Sequence, residues 1–339
     1  MDLKNLGWND QFEEAFARNE TKGVQPARVI LEHKGMYKVH NGNEEVSAEI
    51  TGNMRFNAAE RDDYPAVGDW VVVQPLEGEQ KARIHAILPR TSKFSRKAAG
   101  NETNEQIIAA NVNTVFLVNA LNHDFNTRRM ERYLTIAWES GANPVIVLSK
   151  ADLCDDPADK ISEVEAVAFG VPIHVVSAEK NEGLDELTSY FENGQTVALL
   201  GSSGVGKSTL INRLYGDSIQ DVNEIRKGDD RGKHTTTHRE LIVMPEGGML
   251  VDTPGMRELQ LWESEDSLTH SFSDIEELAE QCKFRDCRHK SEPGCAVKRA
   301  IDDGALDVDR FKNYLKLQRE LAFLERKNEA KLRKQRKGR

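Results

Sequence analysis

The sequence predicts a multidomain chain, with an OB-like β-barrel first, an α/β domain on a parallel sheet next, and a polar helical segment last. Three observations carry this. Between Ala27 and Leu88 five short strand-like runs follow one another at turn-sized intervals. From Asn111 onward, near-continuous apolar runs alternate with longer helical stretches. Beyond Gly255 the chain turns polar and helical, with three cysteines and a histidine crowded between Cys282 and Cys295. At 339 residues there is room for two or three cores.

Composition narrows the class. With 38% hydrophobic and 30% charged residues, the chain reads as a soluble protein. Its first residues, MDLKNLGWNDQFEEAF, lack the basic start and apolar stretch of a signal peptide, so a cytoplasmic protein is expected. The most apolar runs, at Val197 and at Pro144, fall well short of the roughly 20 residues that cross a bilayer. Four cysteines in such a length do not make a disulfide scaffold, and the clustering of three points to a metal in a reducing compartment. The net charge of -10 is unevenly spread: Arg310–Arg339 hold 12 Lys or Arg against 3 Glu. A basic end of this kind suits an anionic partner.

The first 26 residues read as an amino-terminal extension, followed by the barrel over 27–95. Its runs are ARVILEHKG, GMYKVHNGN, EEVSAEITG, GDWVVVQPLEG and QKARIHAIL, with Asn-Gly and Glu-Gly turns between several of them. Five such strands suit an OB-like barrel, a fold whose open face often binds oligonucleotides; a barrel that merely packs on its neighbour is the plainer alternative. The α/β domain is expected over 105–262, with parallel strands TVFLVNA, NPVIVLSKAD, VPIHVVSAE, QTVALLGSSG, HRELIVMP and GGMLVDTPG. Residues 263–339 form the last segment, where Phe311, Leu315, Leu317, Leu321 and Leu324 recur at roughly helical spacing before a wholly basic end. The first half of that helix is expected to pack and the last dozen residues to stay mobile. No internal repeat is evident.

Chemistry enters at strand ends, where ligands bind in such sheets. GSSGVGKST, from Gly201 through Ser202, Ser203, Gly204, Val205, Gly206, Lys207 and Ser208 to Thr209, follows an apolar strand and precedes a helical run. That is the context of a phosphate-binding loop: backbone N–H groups surround the phosphates, Lys207 reaches the β and γ oxygens, and Ser208 ligates magnesium. DTPG ends another apolar strand, where Asp252 can hold the magnesium shell and the Gly255 amide can sense a γ-phosphate. Between them lie Thr235, Thr236 and Thr237, all candidates for the remaining magnesium ligand, with Thr236 the one we expect. The base is read by SKAD: the Asp152 carboxylate accepts two N–H groups from guanine, Lys150 lies along the ring, and Ser149 and Ala151 complete the string. In VVSAEK, Ser177 and Ala178 put a backbone N–H near guanine O6. Each string is weak alone; their joint occurrence at strand ends points to a GTPase.

Their order is unusual. SKAD and SAEK precede the phosphate loop, whereas ordinary GTPases place the phosphate loop first, so this is a circularly permuted P-loop GTPase domain. The last segment spaces Cys282, Cys287, His289 and Cys295 as C-x4-C-x-H-x5-C, a donor set for one tetrahedral zinc and the core of a zinc-binding helical domain. Cys154, alone after SKAD, reads as a simple thiol.

A barrel, a permuted GTPase domain and a Cys/His domain in this order resemble the RsgA (YjeQ/YloQ) family, the small-ribosomal-subunit-dependent GTPases of bacteria. The resemblance covers nearly the whole chain and includes the phosphate loop, HTTT, DTPG and the zinc spacing. It implies GTP hydrolysis stimulated by the small (30S) subunit and its 16S rRNA, in late subunit maturation, by a protein we expect to be monomeric. One departure is Ser149, where the family usually has Asn or Thr; the shorter side chain is expected to weaken the bridge from base to phosphate loop. An RNA-binding module with a structural nucleotide site is the alternative, as is a regulatory GTPase with a protein partner. The glutamine that orients water in Ras-like enzymes is replaced by Met256, so another residue must act. His234, just before the threonines, is the candidate that both its place and the resemblance suggest, with His238 close by.

Overall fold

The structure is a computed structural model that describes residues 2–19, 21–33, 35–76, 78–97, 105–216, 239–245, 247–252, 265–290 and 292–337. His234, the three threonines, His238, Gly255 and Met256 lie outside the described residues. The chain forms two compact units: Met1–Phe125 with Ser140–Pro157 and Val171–Gln260, and Asn126–Glu139 with Ala158–Gly170 and Leu261–Arg339.

In the first unit a helix α1 (Asp10–Ala17), capped by Asn9 through Phe12 N–H, precedes the barrel. The barrel strands are β1 (Gln25–His33), β2 (Met36–His40), β3 (Glu45–Ile50), β4 (Trp70–Pro75) and β5 (Lys81–Ile87), with helix α2 (Gly52–Asn57) between β3 and β4. They pair in the order β1-β2-β3-β5-β4, and β4 returns to β1 to close the barrel. Alternation explains the closure: β3 buries every second residue, and Val39, Val46, Ala48, Ile50, Val71 and Ile84 share one core. The Asn41-Gly42 turn forms as expected, with Gly42 at φ 94° and the Asn41 carboxamide accepting from two backbone N–H groups.

A hairpin of β6 (Lys93–Lys97) and β7 (Glu105–Ala110), absent from the sequence reading, leads out of the barrel. The GTPase sheet then uses β8 (Thr114–Ala120), β9 (Asn143–Ser149), β10 (Ile173–Val175), β11 (Thr196–Leu200), β12 (Arg239–Val243) and β13 (Met249–Asp252) in the spatial order β10-β9-β8-β11-β13-β12. Five of these run parallel, but β12 is antiparallel to β13, contrary to expectation. The reason is the short turn between them, closed by Met244 N–H to Gly248 O, which leaves no length for a crossover. The sheet does not stop there: β12 pairs with β1, so barrel and GTPase strands form one 11-stranded sheet. Arg28, 1% exposed on β1, braces this region by donating to the carbonyls of Leu6, Gly68 (3.2 Å) and Asn111 (3.0 Å).

The second unit is helical: α3 (Thr127–Ser140), α4 (Ala158–Glu165), then α7 (Glu265–Ser271), α8 (Ser273–Glu280), α9 (Ala296–Asp302) and α10 (Val308–Lys337), with α5 (Asp185–Thr188) and α6 (Lys207–Tyr215) belonging to the first. At its centre the fully buried Glu131 carboxylate accepts from Arg310 (2.6 Å), Asn313 (2.7 Å) and Arg128 (3.2 Å). Among the described side chains the buried apolar stripe of α10 is Phe311, Tyr314, Leu317 and Leu321; Tyr314 takes the place expected of Leu315, and the side chain of Leu324 lies outside those described. Helical backbone continues to Lys337, through the segment expected to be mobile, because its Ala, Lys, Leu, Gln and Arg are strong helix formers. Among the described residues no helix is long and apolar enough to cross a membrane.

Candidate nucleotide site and metal centre

The phosphate loop begins where the wholly buried β11 ends. Gly201 has no room for a side chain, since a Cβ there would lie 2.5 Å from the Val118 carbonyl of β8. Gly206 caps α6 at φ 98°, a left-handed conformation that glycine adopts without strain. Buried Val205 anchors the loop from below, while Ser203, Gly204, Ser208 and Thr209 stay exposed. Lys207 curls back so that Nζ donates to the carbonyls of Gly201 (2.6 Å) and Ser202 (2.7 Å). The ammonium therefore lies against the loop where phosphate oxygens would compete for it.

The base-reading strings converge on the same place. Ser149, at the end of β9 and 5% exposed, donates Oγ–H to the Val205 carbonyl at 2.6 Å. The shorter side chain thus still reaches the phosphate loop, because the strand end lies close enough for a hydroxyl. Lys150 is in the left-handed region at φ 59°, and its Cε lies 3.9 Å from where a Cβ on Gly206 would be. Asp152 is aimed by Ser177, which is fully buried and donates to Asp152 Oδ1 at 2.7 Å. Lys180 N–H donates to the same Ser177 hydroxyl. Ala151 N–H reaches the Val176 carbonyl, tying the two strings together. A pocket of about 290 Å³ opens between them, lined by Ser149, Lys150, Asp152, Ala178, Gly206 and Thr209 among others. Carboxylate, cation and helix amino terminus thus face one cavity, which is the chemistry a nucleotide demands.

Asp252 ends β13, one residue past the Ala198↔Val251 pair, so its backbone stands at the same carboxyl edge. Two contacts escaped the sequence reading. Ser202 Oγ donates to Asp124 at 2.9 Å, and Arg213 Nε donates to the Ala178 carbonyl at 2.9 Å. Asp124 was findable: it lies in the polar run after β8, another strand end facing the crevice.

In the second unit the ligand atoms of Cys282, Cys287, His289 and Cys295 lie within 4.8 Å of one another. The Cys282–Cys295 sulfurs are 3.9 Å apart, and His289 Nδ1 is 3.6 and 3.4 Å from them. Tetrahedral zinc with Zn–S bonds of about 2.3 Å requires sulfurs about 3.8 Å apart, so the donor set fits one zinc ion. Outer contacts support it: Ala296 N–H points at Cys282 Sγ, and Lys298 N–H at Cys295 Sγ, which caps α9. Burial lifts the Cys282 thiol, but hydrogen bonds from Val297, Ala296, Cys295 and Cys287 outweigh it, and the net shift is downward. Burial also lowers the pKa of His289, favouring the neutral imidazole that a metal needs.

A family model described as RsgA GTPase matches residues 87–262. The small ribosomal subunit biogenesis GTPase RsgA 1 of Oceanobacillus iheyensis is 49% identical over 307 residues, covering 90% of this chain and 88% of that protein. RsgA of Opitutus terrae is 46% identical over 337 residues, covering 96% and 92%. Among solved structures, YjeQ from Thermotoga maritima superimposes with a TM-score of 0.65 at 29% identity, covering 88% of this chain and 99% of that one. YloQ, a circularly permuted GTPase, gives 0.64 at 28% identity over 89% and 96%. On these matches the chain belongs to the RsgA GTPase family and is a GTP-hydrolysing enzyme.

Proposed function

We propose that this enzyme acts in the biogenesis of the small (30S) ribosomal subunit, binding the subunit and its 16S rRNA and hydrolysing GTP to GDP and phosphate faster when bound. The observation that carries this is the match, across nearly the whole chain, to relatives named small ribosomal subunit biogenesis GTPases. Lys207 leaves the carbonyls of Gly201 and Ser202 for the β and γ oxygens of GTP, an exchange of neutral acceptors for charged ones that favours binding. Asp152, aimed by Ser177, selects guanine, because adenine offers no matching pair of donors. Ser208, Thr236 and Asp252 hold magnesium, which neutralises charge on the transferred phosphoryl group. His234 orders the attacking water. The Cys282, Cys287, His289, Cys295 set holds one zinc, which stands in for an apolar core.

The basic end of α10 contacts rRNA phosphates. The protein works in the cytoplasm as a monomer. The rival reading, an RNA-binding module with a structural nucleotide site, rested on Ser149, and the 2.6 Å contact to Val205 removes that support. The decisive experiment is steady-state turnover with purified small subunits, large subunits or neither. Strong stimulation by small subunits alone, with GTP and not ATP, is expected; equal stimulation by large subunits refutes the assignment.

A further inference from the structure

Strand β1 has two halves with different neighbours. From Gln25 to Arg28 it closes the barrel against β4. Along its other edge it pairs with β2 as far as His33↔Met36, with a register shift between Val29 and Leu31. Val29 still bonds Gly68 and Asp69 on the β4 edge; past it that edge is open, and β12 occupies it: Leu31 pairs with Glu240 and Glu32 with Arg239. On its far side β12 pairs with β13, with Glu240 opposite Asp252 and Leu241 opposite Val251. Glu240 thus stands between a barrel residue and the aspartate of DTPG. Arg239 is the first described residue after the histidine and threonine segment. Without β1, β12 would be an edge strand held by only four pairs to β13. A one-residue slip would turn Leu241, 3% exposed, out of the core.

We propose that Leu31 and Glu32 form a positioning element for GTP hydrolysis: by holding β12 in register against Asp252 they fix the root of the threonine segment. The ladder stays paired throughout the cycle. This rests on the reading that small subunits stimulate the enzyme.

Two experiments test it with the full-length, zinc-loaded protein. Because N–H groups alternate between the two edges of a strand, one of Leu31→Pro and Glu32→Pro withdraws a donor from the β12 side. At saturating small subunits, at least one variant should lose about tenfold in kcat, with KM for GTP, GDP affinity and zinc content kept. Unchanged kcat in both overturns the proposal. The second experiment does not depend on those variants folding. Paired antiparallel residues have Cα atoms about 4.5–5.5 Å apart, within disulfide reach, so Glu32→Cys with Arg239→Cys in a Cys154→Ser background can be locked and released by a reductant. Locked protein should match reduced protein in stimulated kcat; a fall that the reductant reverses means the strands must part, and the proposal fails. If the wild-type enzyme is not stimulated, the functional reading fails separately, and the same kcat comparisons without subunits decide the ladder.

Discussion

Replacing Ser149 with alanine removes one hydroxyl from the seam between the base-reading strand and the phosphate loop. The bond lost is Ser149 Oγ–H to the Val205 carbonyl, 2.6 Å long, with the two residues 5% and 1% exposed. A typical hydrogen bond contributes about 1 kcal/mol net, and more when a buried carbonyl is left without its donor. Val205 lies between Gly204 and Gly206, so a free carbonyl there loosens the stretch that must present N–H groups to phosphate. If about 1 kcal/mol of that order is needed only in the bound state, the dissociation constant for GDP rises about fivefold. If the bond is equally needed in the empty enzyme, the same energy appears as lost thermal stability and affinity stays put. Titration with a fluorescent guanine nucleotide, beside a melting curve, separates the two. Ser149→Thr keeps the hydroxyl and should bind within about twofold of wild type, since less than about 0.5 kcal/mol is then at stake. The reasoning is refuted if alanine changes neither affinity nor melting temperature, or if threonine is as damaging as alanine.

Three further outcomes are expected. Elemental analysis should find one zinc per chain, and Cys295→Ser should lose both the zinc and part of the helical circular dichroism; metal-free protein with an unaltered spectrum would contradict this. Arg310→Ala should destabilise the second unit by about 3 kcal/mol, the low end for breaking a buried pair, because Glu131 keeps Arg128 and Asn313; denaturant unfolding with a midpoint like that of wild type would contradict it. His234→Ala should bind GTP normally yet lose at least about tenfold of subunit-stimulated hydrolysis, and full activity would pass the role to His238 or to the ribosome.

What was legible in the sequence was whatever side-chain chemistry announces. The phosphate loop, SKAD, SAEK and the Cys/His set need particular residue types at particular spacings, and the structure brings the first three to one pocket and the fourth into one cluster. What was not legible rests on backbone pairing or on the choice between adjacent apolar residues. The β1–β12 ladder joins residues some 200 positions apart through main-chain groups that every sequence carries. Antiparallel β12 follows from the short turn after Val243, although its composition matches that of its parallel neighbours. On α10, Tyr314 and Leu315 fit the helical period about equally well, and only the packing decides that Tyr314 faces inward and donates to Glu276. Arg28 reads as one charged residue at the start of a strand, yet its five donors make it the brace for three separate carbonyls.

The permuted order leaves the site intact for a topological reason. Connections run from β8 outward to β9 and β10 on one side, and from β11 out to β12 and back to β13 on the other. The direction of winding therefore reverses between β8 and β11, and the loops leaving their carboxyl ends diverge to open a crevice. Gly201 packs on the Val118 carbonyl and Ser202 bonds to Asp124 across that line, so the phosphate loop sits at the reversal itself. Permutation alters only which strand ends the chain joins: here Val176 to Gln195 carries β10 into β11, and the chain enters the sheet at β8 from the barrel side. The first of these joins includes Val176, Ala178 and Glu179, which line the pocket. Permutation does bring the chain onto β12 and β13 last, so the strands flanking the reacting phosphate are also those leading toward the barrel ladder and the carboxyl-terminal segment.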